Sequence, residues 1–140
     1  MTGGRLSLPR TYLAATGLLL FGQGAAGLIV RAGGRDPHAT THLLSDPAHS
    51  TIHLAWGLVL LAGFAGADEL LAERILLAFA VFYVGLLALG VLVHHPFGLM
   101  IDGGENAFHA VVGPLALVIW ARAASRRRRP AASAHAPELR

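Results

Sequence analysis

Two segments of the chain carry metal-capable side chains at matched spacing. His49-Ser50-Thr51-Ile52-His53 is followed by Gly57, and Glu105-Asn106-Ala107-Phe108-His109 is followed by Gly113. In each, an imidazole or a carboxylate stands four residues before a histidine, and a glycine stands four after it. Residues four apart on a helix share a face and lie about 6 Å apart. His49 and His53 therefore project together, and so do Glu105 and His109. If the two faces converge, His49, His53, Glu105 and His109 form a donor set for a transition metal. Imidazole and carboxylate suit zinc, iron, manganese or nickel. His94 and His95 would supply a further ligand or a hydrogen-bonding partner behind one.

The same spacing admits two other readings. Helices on the diagonal of a bundle have axes roughly 11–14 Å apart. That span suits a haem iron between His53 and His109 as axial ligands, with Gly57 and Gly113 leaving room for the porphyrin. The alternative without a cofactor is structural: each histidine donates to a loop carbonyl and staples its hairpin, with Ser50 and Asn106 in the same network.

The elements that would position these residues are apolar helices. The chain of 140 residues is 54% hydrophobic and 14% charged, against about 25% charge in an ordinary soluble domain. Charge is absent from Tyr12 to Val30, Ile52 to Ala67, Ile75 to Val93 and Ala107 to Ala121. About 20 helical residues cross the hydrocarbon core of a bilayer. The reading is an all-α, integral membrane four-helix bundle built from two repeated helical hairpins. A cytoplasmic tail covers 1–10, and the transmembrane domain covers 11–123 with helices at about 12–31, 47–66, 69–94 and 105–122. Residues 124–140 are expected to form a disordered basic tail. A cleaved signal peptide over 1–30 would need a shorter apolar run, and it would remove the first helix of the repeat. Cysteine is absent, which excludes disulfides and thiolate metal sites.

Arginine sets the orientation. With both termini inside, nine arginines fall on the cytoplasmic side and two, Arg31 and Arg35, on the other. The positive-inside rule then predicts a multi-pass protein of the cytoplasmic membrane with both termini cytoplasmic. Seven of the eight histidines gather at the outer side; His135 alone lies in the tail. Arg126, Arg127, Arg128 and Arg129 read as anchors to anionic lipid headgroups. Nothing beside them reads nucleic acid.

Local signals mark the helix ends. Asp46-Pro47 makes a cap followed by a first-turn proline, and Asp68 caps the third span. Gly17 and Gly22 in the first span, and Gly85 and Gly90 in the third, are expected at helix contacts. Gly22-Gln23-Gly24-Ala25-Ala26-Gly27 matches a nucleotide-binding pattern but follows no strand, so it reads as a packing surface. Pro114 should bend the fourth span below His109. Pro96 ends the third span, and Phe97, Leu99, Met100 and Ile101 read as an interfacial plug over the bundle.

At the two histidine motifs the chain resembles a bacterial membrane-protein family, domain of unknown function 4383. Its members are four-helix proteins with a repeated acidic-Asn-x-x-His-hydrophobic-x-x-Gly pattern. Glu105, Asn106, His109 and Gly113 fit that pattern. In the first copy His53 and Gly57 match, while His49 and Ser50 replace the acidic residue and the Asn. The likeness covers about residues 12–122, and it implies a four-helix membrane fold without an assigned activity.

The functional expectation is a small non-enzymatic multi-pass membrane protein, of the kind that serves as an accessory subunit beside a membrane protein partner. The alternative is a metal- or haem-binding membrane protein using His53 and His109. No nucleophile–base set marks an enzyme.

Overall fold

The computed structural model describes residues 6–40, 46–93, 99, 101 and 103–128. Those residues form α1 (Leu8–Ala32), α2 (Pro37–Thr40), α3 (Pro47–Gly66), α4 (Glu69–Val93) and α5 (Gly103–Arg128), with no strand among them. The four long helices are each long and apolar enough to cross a membrane. α1 packs most extensively on α3, and α4 on α5. α3 and α5 have little backbone contact with each other, so the space between them is filled by side chains.

Each helix end has a local cause. Ser7 caps α1, accepting a hydrogen bond from the Arg10 amide, with proline in the first turn. The helix therefore starts at Leu8 rather than at the first charge-free residue. Arg10 lies within it because its guanidinium donates to the Ala67 and Phe64 carbonyls at the end of α3. Those carbonyls have no partner within their own helix. At the other end of α1, Gly34 takes φ 76°. The Gly34 and Arg35 amides return to Arg31 and Val30, closing a Schellman turn that favours glycine. Pro37 then opens the single turn of α2, in a segment expected to be a loop. Asp46 caps α3 through the amides of Ala48 and His49, and Asp68 caps α4 through the amide of Leu71.

α5 runs six residues beyond the expected end at 122, to Arg128. Residues 124–128 are thus helical, where a disordered tail was expected. Arg127 forms an ion pair with Glu73, whose carboxylate is buried against α5. Arg127 thus has a partner within the protein. The other basic residues of the last turn complement the helix dipole.

Glycine governs how closely the paired helices approach. A Cβ on Gly24 would fall 2.5 Å from the Leu54 amide nitrogen, and one on Gly57 would fall 2.5 Å from that of Phe21. Gly113 meets the backbone of Tyr83 and Val84, and Gly90 meets Asn106 and Ile101. Gly22 and Gly85, expected at contacts, face open space. The glycine-rich stretch thus packs through Gly24, two residues along from the expected Gly22.

The core is aliphatic and aromatic. Leu13, Leu20, Leu60, Leu76, Phe79 and Tyr83 are fully buried. Tyr12 donates from its hydroxyl to the Val112 carbonyl, a buried bond between α1 and α5 at 2.7 Å. Leu99 and Ile101 fold down onto Leu86 and Ile52. These two of the four residues expected to form a plug are thus packed on the bundle; Phe97 and Met100 lie outside the described residues.

Candidate metal centre

α3 and α5 each bring a histidine inward on their seventh residue. His53 follows Pro47 by six positions and His109 follows Gly103 by six. At 1.5 Å per residue both lie about 9 Å below their helix starts. His49 sits one turn above His53 on the same face of α3, with ring centroids 4.5 Å apart. The His49 ring is 5.4 Å from that of His109, and His53 is 6.4 Å from His109. The three are essentially inaccessible, at 0%, 2% and 0% exposure. One nitrogen from each can be chosen so that all three lie within 4.8 Å of one another.

The hydrogen bonding around the rings is incomplete. His49 Nε2, His53 Nε2 and both ring nitrogens of His109 have no hydrogen-bond partner. Buried polar atoms are rarely left so, because desolvation then goes uncompensated. His49 Nδ1 lies 2.7 Å from Glu105 Oε2. A carboxylate beside Nδ1 favours the Nδ1–H tautomer and leaves the Nε2 lone pair for a metal. Glu105 thus lies on the Nδ1 side of His49 and is not among the three residues whose donor atoms converge.

Tetrahedral zinc at about 2.0–2.1 Å holds its ligand nitrogens roughly 3.4 Å apart. The three donor atoms, within 4.8 Å of one another, are spaced somewhat more widely than that. The donor set fits a transition metal in softness and number.

The haem reading meets a different fit. The ring of His49 lies beside both His53 and His109, with centroids 4.5 Å and 5.4 Å away, where a macrocycle held between them would extend. Gly57 and Gly113, expected to leave room for the macrocycle, are closed by the backbones of Phe21 and of Tyr83–Val84. These residues do not accommodate a porphyrin. His94 and His95, named as further ligands, lie outside the described residues.

Aromatic rings floor the centre. Tyr83 on α4 lies 5.3 Å from His109 and 6.2 Å from His53, nearly parallel to the latter. Its hydroxyl is buried without a partner. Phe108 lies 5.7 Å from His53, and below Tyr83 the stack continues through Phe79 and Trp56. Tyr83 was missed from sequence, although a signal existed: it is the one polar side chain between Ile75 and Val93. Asn106, expected to join a histidine network, instead meets Gly90 and leaves its Oδ1 without a partner.

No protein-family model matches the chain, and no curated protein or solved structure does.

Proposed function

We propose that this chain is a four-span protein of the cytoplasmic membrane that holds a transition-metal ion between His49, His53 and His109. One observation carries the metal reading: three buried imidazoles converge in an apolar bundle with four of their ring nitrogens unpartnered. A stapling role would have paired those nitrogens with carbonyls. Three imidazoles suit zinc, nickel, copper or ferrous iron, and Glu105 orients His49 from behind.

Support for the membrane comes from the outside of the bundle. Leu18, Leu19, Ile29, Leu58, Val81 and Val111 are all exposed on the long helices, an apolar coat that water would not tolerate. The arginine distribution supports an orientation with both termini in the cytoplasm and the histidine centre near the outer face. The two hairpins are α1–α3 and α4–α5, related by a pseudo-twofold axis. In this reading His53 and His109 are equivalent, as are Gly57 and Gly113, which each close against a neighbouring helix. The same equivalence follows from the resemblance to domain of unknown function 4383. The role is that of a non-enzymatic metal-holding subunit beside a membrane protein partner.

Elemental analysis of the detergent-purified protein tests the centre. After exposure to zinc, copper, nickel and ferrous iron in turn, and removal of the excess, one metal ion per chain is expected for at least one of them. His53→Leu and His109→Leu should each abolish it. Metal-free protein in every case, or variants that keep the full load, would overturn the reading.

A further inference from the structure

A second place in the fold is built for a ligand, at the opposite end of the bundle from the histidines. There α1 and α4 begin, α5 ends, and a cavity of about 330 Å³ opens among them. Its charged residues are not equivalent. The buried Glu73 is neutralised by Arg127, and Glu69 accepts a hydrogen bond from the Ser7 hydroxyl at 2.7 Å. Arg122 and Arg126 also line the cavity, and among the described residues neither has an ion-pair partner. They stand four residues apart on α5, on one face and about 6 Å from each other. That spacing lets two guanidinium groups hold one phosphate from both sides. The N-terminus of α1 borders the cavity and adds partial positive charge, while at the start of α4 the Glu69 carboxylate opposes it. The remaining wall is apolar, formed by Leu8, Pro9 and Ile119.

We propose that this cavity is a phospholipid site. Arg122 and Arg126 hold the headgroup phosphate, and the first methylenes of an acyl chain lie against Leu8, Pro9 and Ile119. A free phosphate would use the arginines but not the apolar wall, whereas a phospholipid uses both. The site differs from a diffuse attraction of the basic helix end for anionic lipid, because it depends on which arginine is present and not on how many. It rests on the membrane-spanning reading and is independent of the metal.

Native mass spectrometry of the full chain, released from detergent after incubation with phosphatidylglycerol vesicles, tests the assignment. One phospholipid is expected to remain bound per chain through a delipidating wash. Arg122→Gln and Arg126→Gln should each lower its retention about tenfold. Arg128→Gln removes the same charge outside the cavity and should change retention less than twofold. Ala123→Trp fills the cavity without altering charge and should displace the lipid as well. Equal loss from Arg128→Gln would assign the binding to diffuse charge and overturn the site. So would displacement of the lipid by millimolar inorganic phosphate, which would assign a free-anion site. Protein that stays soluble and monodisperse with no detergent at all would remove the membrane reading itself, a separate failure.

Discussion

Two polar clusters lie at opposite ends of the same bundle, and they are completed differently. At the terminal end, Glu73 is 5% exposed, and its carboxylate meets Arg127 from α5. Nearby, Arg10 closes the carbonyls that end α3, and Ser7 ties α1 to Glu69. At the histidine end, His49 has Glu105 beside one nitrogen, and four other ring nitrogens have no partner. Glu73 and the three imidazoles are buried, where an unsatisfied polar group is costly. The terminal end draws its partners from the chain. The histidine end lacks them, and a metal is the partner that three convergent lone pairs would accept. The two ends thus differ in whether the chain itself supplies the partners of its buried polar groups.

The comparison can be broken most directly by deleting one member of each cluster. Arg127→Gln strands a buried carboxylate and should destabilise the protein by roughly 3 kcal/mol. His53→Leu in the metal-free protein removes a buried nitrogen that had no partner and replaces it with a side chain of similar size. Its stability should stay within about 1 kcal/mol of the parent. Denaturant unfolding in detergent, followed by circular dichroism with chelator present, measures both. If His53→Leu costs as much as Arg127→Gln, the imidazole is a structural element and the contrast collapses.

A smaller effect is expected from the glycines that set the helices around the centre. Gly57 lies one turn below His53, and a Cβ there would fall 2.5 Å from the Phe21 backbone nitrogen. Backbone cannot move aside as a side-chain tip can, so α3 would have to shift on α1. Gly57→Ala should cost about 2 kcal/mol and weaken metal retention, because His49 and His53 move with α3. Gly85→Ala meets open space and should be neutral or slightly stabilising. Thermal unfolding of the pair separates packing from intrinsic helix preference.

These glycines also mark the limit of what was legible in the sequence. Apolar block length announced four long helices, and i, i+4 spacing announced that His49 and His53 share a face, as do Glu105 and His109. Both are properties of a single helix. Which glycine meets a neighbour depends on how each helix is rotated about its axis. Gly22 and Gly24 are two residues apart, roughly 200° around the helix, and only Gly24 faces α3. The Glu73–Arg127 pair was hidden for a related reason. Arg127 sits in a basic run whose composition alone reads as lipid-facing, and its partner becomes visible only once α5 lies on α4. Tyr83 was legible in type, as a lone hydroxyl in an apolar run, but not in its placement against the two imidazoles.

Glu105 offers the finest test of the histidine end. Its sequence position made it an equal member of the ligand set, four residues before His109. Its Oε2 instead lies 2.7 Å from His49 Nδ1, behind the ring. A carboxylate in that place orients the ring from its Nδ1 side. Removing its charge then lowers metal affinity about tenfold without changing the donors. Glu105→Gln keeps an acceptor oxygen of the same reach, so the orientation of His49 should survive while the charge is lost. X-ray absorption of the metal-loaded variant should show the same number of imidazole nitrogens as the parent, with affinity reduced by that factor in a competition titration. A direct ligand would behave otherwise: the variant would lose an oxygen from the coordination shell, and affinity would fall well beyond a hundredfold. That outcome would move the metal toward α5 and make the acidic residue of the second motif the equal of its histidine.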